Sequence, residues 1–135
     1  MPAEANATSK SRLPHLLRVL GAAAGFVLLV IGVRFLVTPE QATRTFGLGS
    51  TPAATALDAV IGLRDIWLAL LAIALAALRE WRALALWLLL GAGVCVGDAA
   101  VVASHGGPWP ALAFHGLSGA FCAGLGWRCW RLAQR

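Results

Sequence analysis

The stretch AVIGLRDIWLALLAIALAAL, Ala59 to Leu78, decides the fold. It is long and apolar enough to cross about 30 Å of hydrocarbon as a helix, which takes roughly 20 residues, yet it carries Arg64 and Asp65 side by side. An Arg or Asp at the centre of a membrane helix costs roughly 2.5 to 3.5 kcal/mol on insertion scales, so such groups turn toward the interior of a bundle and pair there. Consecutive helical residues point about 100° apart. Arg64 and Asp65 are therefore expected to miss each other and to seek partners on other helices: Arg64 with Asp98, and Arg34 with Asp58 or Asp65.

The rest of the chain agrees with a membrane reading. Of 135 residues, 59% are hydrophobic and only 13% charged, with a mean hydropathy of +0.77, too little polar surface to cover a water-soluble globule. Four apolar runs are long enough to cross, at about 16–37, 54–78, 83–103 and 109–127. Between them lie TPEQATRTFGLGSTPA (Thr38 to Ala53), the tight polar turn REWR (Arg79 to Arg82) and SHGGPWP (Ser104 to Pro110), all rich in helix breakers or charge. Short connections imply antiparallel neighbours. The expected fold is all-α: an integral membrane four-helix bundle, up-down-up-down, over residues 15–135, preceded by a polar, disordered cytoplasmic tail at 1–14. The first apolar run is too long, and lacks a small-residue cleavage site behind it, to read as a secretory signal peptide.

The net charge of +5 follows topology rather than forming a nucleic-acid patch. Lys10, Arg12 and Arg18 precede or open the first span, Arg79 and Arg82 sit in the turn after the second, and Arg128, Arg131 and Arg135 end the fourth. Arg44 alone stands in the opposite loops. By the positive-inside bias both termini face the cytoplasm, and the expected location is a bacterial cytoplasmic membrane. Trp81, Trp109, Trp127 and Trp130 fall where an interfacial aromatic belt places them.

With that orientation, Arg34, Asp58, Arg64, Asp65, Asp98 and His115 all fall in the outer half of the bundle, and every span contributes at least one of them. Asp58, Gly62, Asp65 and Ala69 share one face of the second span, the small residues letting a neighbouring backbone approach. His115, Ser118, Gly119 and Cys122 line one face of the fourth. Two arginines against three aspartates leave one negative charge in excess, which a proton on His115 or on a carboxyl would neutralise.

The layer reads in two ways: a network that fixes helix register, or the lining of an outward-facing cavity. In the second case the expected partners are the lipid bilayer and a small apolar or lipid-like ligand. An enzymatic alternative has Asp98, His115 or Asp65 moving protons on an apolar substrate, as an isomerase or cyclase would. A small proton-coupled transporter is a further alternative, weakened because alternating access favours a site at the midplane. No cofactor or metal is expected: Cys95, Cys122 and Cys129 form no Cys-x-x-Cys pair, and Asp98, His105 and His115 have no ligand-like spacing. Gly21 and Gly25 form a small-residue face that serves either packing within the bundle or a homo-oligomer.

The elements RFLVTPEQATRTFGLG (Arg34 to Gly49), GLRDIWLALLAIAL (Gly62 to Leu75), REWRALALWLLL (Arg79 to Leu90), GDAAVVASHGG (Gly97 to Gly107) and AFHGLSGA (Ala113 to Ala120) resemble a family of small four-span bacterial and fungal membrane proteins known only as domain of unknown function 4267. Its Arg-Phe, Gly-x-Arg-Asp, Gly-Asp and His-Gly elements correspond to Arg34 and Phe35, Gly62 with Arg64 and Asp65, Gly97 and Asp98, and His115 and Gly116. The resemblance implies the bundle and its polar positions, and leaves function open.

Overall fold

A computed structural model describes the backbone of residues 3–49 and 55–135, with side chains for 12–49 and 56–135. The expected start of the second span at Ala54 lies outside the described residues. The described chain is all-α, with five helices: α1 (Ala3–Val37), α2 (Pro39–Phe46), α3 (Thr55–Leu78), α4 (Trp81–Ser104) and α5 (Trp109–Ala133). Three are long and apolar enough to cross a membrane, over Arg12–Val37, Ala56–Leu78 and Trp81–Ser104. The fifth is as long, but His115, Ser118, Arg128 and Arg131 make it more polar. Large side chains along these helices, among them Phe26, Val30, Leu63, Trp67, Leu70 and Leu90, point outward. Apolar surface on that scale needs hydrocarbon around it.

α1 reaches back through Pro14 to Ala3. Where composition suggests a tail, the backbone of the polar leader is helical in this structure; Ala3, Ala5 and Ala7 favour that conformation and no glycine interrupts it.

α1 and α3 run antiparallel, and small residues set how closely they meet. A Cβ on Gly25 would fall 2.9 Å from the Ala69 carbonyl oxygen, and one on Gly32 would fall 2.8 Å from that of Gly62. Gly21 and Gly25 are thus used inside the molecule, against Ala76, Ala72 and Ile73. α4 and α5 form the second antiparallel pair, with Gly119 against Cys95 and Gly126 against Leu88 and Leu89. The pairs join most firmly at the Arg79 end, where Leu17, Ala76, Leu84, Ala85, Leu88, Leu125 and Cys129 form one buried cluster drawn from all four long helices.

The turn between α3 and α4 is short because α3 stops sharply. Glu80 N–H donates to the Leu75 carbonyl (2.9 Å) and Arg79 N–H to that of Ala76 (3.3 Å), a Schellman closure with Arg79 itself at φ 61.

The stretch after α1, expected as a loop, contains α2. Its signals are local: Pro39 in the first turn, Glu40 beside it, Arg44 in the last turn, and Gly47 at φ 105 closing the helix. Gly47 N–H donates to the Arg44 and Thr43 carbonyls and Leu48 N–H to that of Thr43. α2 buries Ala42 and Thr43, and Gly47 packs so closely on Ala111 and Val102 that a Cβ there would sit 2.7 and 2.8 Å from them. The short helix thereby covers the end of the molecule opposite the Arg79 turn.

Candidate functional site

The ionisable side chains divide between two neighbouring groups, and α2 supplies partners that the loop reading of Thr38 to Ala53 could not offer. Arg34 donates from Nη2 to Thr45 Oγ1 at 3.1 Å, while Thr45 donates onward to the Gln41 carbonyl at 2.7 Å. Asp58, only 5% exposed, accepts at Oδ1 from Thr43 Oγ1 at 3.1 Å. The expected pairing of Arg34 with Asp58 or Asp65 does not form: no such contact lies within 4.0 Å among the described residues. Arg34 and Asp58 instead take the hydroxyls of Thr45 and Thr43 as partners, presented by a helix within the stretch expected as a loop.

Thr43 therefore carries a measurable share of stability. Thr43→Val keeps the shape but leaves a buried carboxyl without its donor, and the expected cost is about 1–3 kcal/mol. Thermal unfolding in nanodiscs should show a lowered Tm for Thr43→Val and a near-normal one for Thr43→Ser.

The second group contains Arg64, Asp65, Asp98 and His115. The expectation that Arg64 and Asp65 could not satisfy each other is corrected: Arg64 Nε and Nη2 both donate to Asp65 Oδ1, at 3.1 and 3.0 Å. The 100° between their Cα–Cβ directions is bridged by the length of the arginine side chain, which bends sideways across the helix surface. Its own side chain is 58% exposed while that of Asp65 is 9% exposed, so the arginine reaches round from the helix edge to neutralise a buried carboxylate. Arg64 and Asp98, the other expected pair, form no ion pair within 4.0 Å among the described residues.

Asp98 instead faces His115. Its Oδ2 lies 4.0 Å from His115 Nδ1, longer than a hydrogen bond, and the Asp98 side chain is 35% exposed. His115 is held from the other side. Its Nε2 lies 3.1 Å from the carbonyl oxygen of Phe46, the last residue of α2, and the Phe46 ring meets the imidazole edge-to-face at 4.5 Å between centroids. A carbonyl only accepts, so Nε2 carries the hydrogen; in the neutral imidazole Nδ1 then keeps its lone pair. No hydrogen-bond partner reaches that nitrogen among the described residues. No fully buried side-chain nitrogen or oxygen among those residues is left without a partner, so Nδ1 retains access from outside the core.

His115 borders a groove between α4 and α5, about 440 Å³ in volume and lined by Ala92, Gly93, Cys95, Val96 and Ala99 on one helix and by His115, Gly116, Gly119, Ala120 and Ala123 on the other; Asp98 is not in the lining and stands on α4 next to Ala99, at the edge of the groove. Its walls are small because the residues are small: a Cβ on Gly93 or Gly116 would meet nothing within 4 Å. The groove lies in the size range of small-molecule sites, which are mostly apolar with one or two placed polar groups. His115, 4% exposed, is that group here.

Residues 25–129 match the model of a family described as Domain of unknown function (DUF4267). The chain belongs to that family. No curated protein and no solved structure matches it. The DUF4267 span takes in both polar groups, the whole of α2 and the α4–α5 groove.

The residues that sequence reasoning missed are Thr43, Thr45 and Phe46. The start and stop signals that flank them, Pro39 with Glu40 and Arg44 with Gly47, are the ones that mark short helices.

Proposed function

We propose that this protein binds a small apolar or lipid-like molecule within the membrane, its hydrocarbon lying in the α4–α5 groove and its polar group meeting His115 and Asp98. The observation that carries this reading is the pairing of an apolar groove with a histidine whose Nε2 is fixed by Phe46 and whose Nδ1 has no partner among the described residues. The surrounding membrane reading is a four-span, up-down-up-down bundle with both termini in the cytoplasm, in a bacterial cytoplasmic membrane. Two features support it. α5, Trp109–Ala133, is long enough to cross at about 1.5 Å per residue and is paired with α4. Arg82, just after the α3–α4 turn, and Arg128 and Arg131 on α5 also lie within two residues of Leu84 and Cys129 in the chain, and these two share one buried cluster, consistent with the positive-inside bias.

An enzymatic reading, an isomerase or cyclase using proton transfer, draws support from the same pair: Nδ1 is a base by its tautomer, with the Asp98 carboxyl 4.0 Å away. Asp65, already engaged by Arg64, is the weaker candidate for that work.

Native mass spectrometry of the full chain released from nanodiscs tests the binding reading. Wild type should retain an apolar adduct that Gly116→Leu loses, because the new side chain fills the groove where nothing opposes it, and the variant's Tm should stay near normal. Equal adducts in both proteins, or none in either, would count against the groove.

A further inference from the structure

Granting that the groove is a binding site, its donor and acceptor inventory narrows the head group of what it binds. On the reading that Nε2 carries the hydrogen, His115 Nδ1 is an acceptor. Asp98 Oδ2, 4.0 Å away, is a second acceptor. The arginines are committed elsewhere, since both of the Arg64 contacts go to Asp65 and Arg34 donates to Thr45. His115 Nδ1 and Asp98 Oδ2 give the site two acceptors, and no donor among the described residues hydrogen-bonds to either.

We propose that the ligand is a lipophilic primary amine whose ammonium bridges His115 Nδ1 and Asp98 Oδ2 while its hydrocarbon lies along Gly93, Gly116 and Ala120. A nitrogen placed about 2.9 Å from both acceptors subtends an angle of roughly 90° between them, close enough to the tetrahedral spread of two N–H bonds to serve both well. An alcohol has one O–H and serves one acceptor. A carboxylate brings no donor and adds a like charge beside Asp98. A trimethylammonium group has the charge and no N–H. The ammonium also answers the charge count, since Asp58, Asp65 and Asp98 outnumber Arg34 and Arg64 by one, and its bond to the carboxylate is of the stronger, charge-assisted kind.

Four probes with matched decyl chains separate these cases: decylamine, decanol, decanoate and decyltrimethylammonium, titrated into the full chain in phosphatidylcholine nanodiscs with thermal stabilisation as the readout. The expected result is half-maximal stabilisation by decylamine at a concentration about tenfold or more below that of the other three. The preference should vanish in Asp98→Asn, whose side chain is partly exposed and whose replacement leaves the fold intact, and all stabilisation should vanish in Gly116→Leu. A preference for decanol or decanoate that Gly116→Leu abolishes would overturn the amine and leave the binding site standing. Equal response to decylamine and decyltrimethylammonium would overturn the bridging geometry. If no probe stabilises wild type more than Gly116→Leu, the site itself falls and the amine with it.

Discussion

Replacing Gly32 with leucine is expected to force α1 away from α3 and to produce a severe loss of stability. A Cβ at that position would stand 2.8 Å from the Gly62 carbonyl oxygen, 2.9 Å from the Ile66 nitrogen and 3.0 Å from the Ile66 side chain. Two of these three neighbours are backbone, which cannot rotate away, and relief requires the helices to move apart. Gly62 stands in the same relation to α1, its Cβ position 2.8 Å from the Gly32 carbonyl oxygen and 3.0 Å from Leu36. Overpacking a fitted interface usually costs about 1–3 kcal/mol; a clash with two backbone atoms belongs at or beyond the top of that range. Membrane helices associate through such close backbone approach, without a hydrophobic drive to hold them together once it is lost. Unfolding of Gly32→Leu in bicelles should therefore begin well below the wild-type temperature, while Gly97→Leu, at a position where a Cβ meets nothing within 4 Å, should behave like wild type. Equal behaviour of the two variants would mean that α1 and α3 do not meet at Gly32 and Gly62.

His115→Ala is the second large effect, and it should act on stability and on binding together. The substitution removes the donor to the Phe46 carbonyl, the edge contact with the Phe46 ring and most of a buried side chain. A lost buried hydrogen bond and a partly unfilled cavity together are worth about 2–4 kcal/mol. Asp98→Asn should divide the two properties: its side chain is 35% exposed, so its stability should change by less than about 1 kcal/mol, while groove binding weakens. Thermal unfolding with and without decylamine reads both quantities in one experiment. A His115→Ala protein with unchanged Tm would show that the imidazole does not link α5 to α2.

The helical class and the three most apolar helices were legible in the sequence, and so was the presence of ionisable residues within the helices. Hydropathy marks long apolar helices well, and an ionisable residue inside one has few places to go. Gly62 and Ala69 were also legible as a contact face, because spacings of four and three residues keep side chains on one side of a helix.

The individual partners were not legible. The angle between consecutive Cβ atoms says little about an arginine, whose flexible stem let Arg64 reach the residue beside it. Arg34, Asp58 and His115 found partners on α2, an eight-residue helix inside a segment whose proline and glycines read more strongly as a loop. The use of Gly21 and Gly25 against α3 depended on which helix lies opposite, which a small-residue stripe alone does not specify.

The most direct test of the site is nitrogen NMR of the full chain labelled with [15N]histidine in nanodiscs. The protein has three histidines, and loss of one pair of signals in His115→Ala assigns the buried one. Hydrogen bonding to Phe46 and an unpartnered Nδ1 predict a protonated Nε2 and an unprotonated Nδ1 in the free protein. The Nδ1 resonance should shift upfield when decylamine is added, and should not do so in Gly116→Leu. A hydrogen found on Nδ1, or an Nδ1 signal that ignores the amine in wild type, would contradict the account.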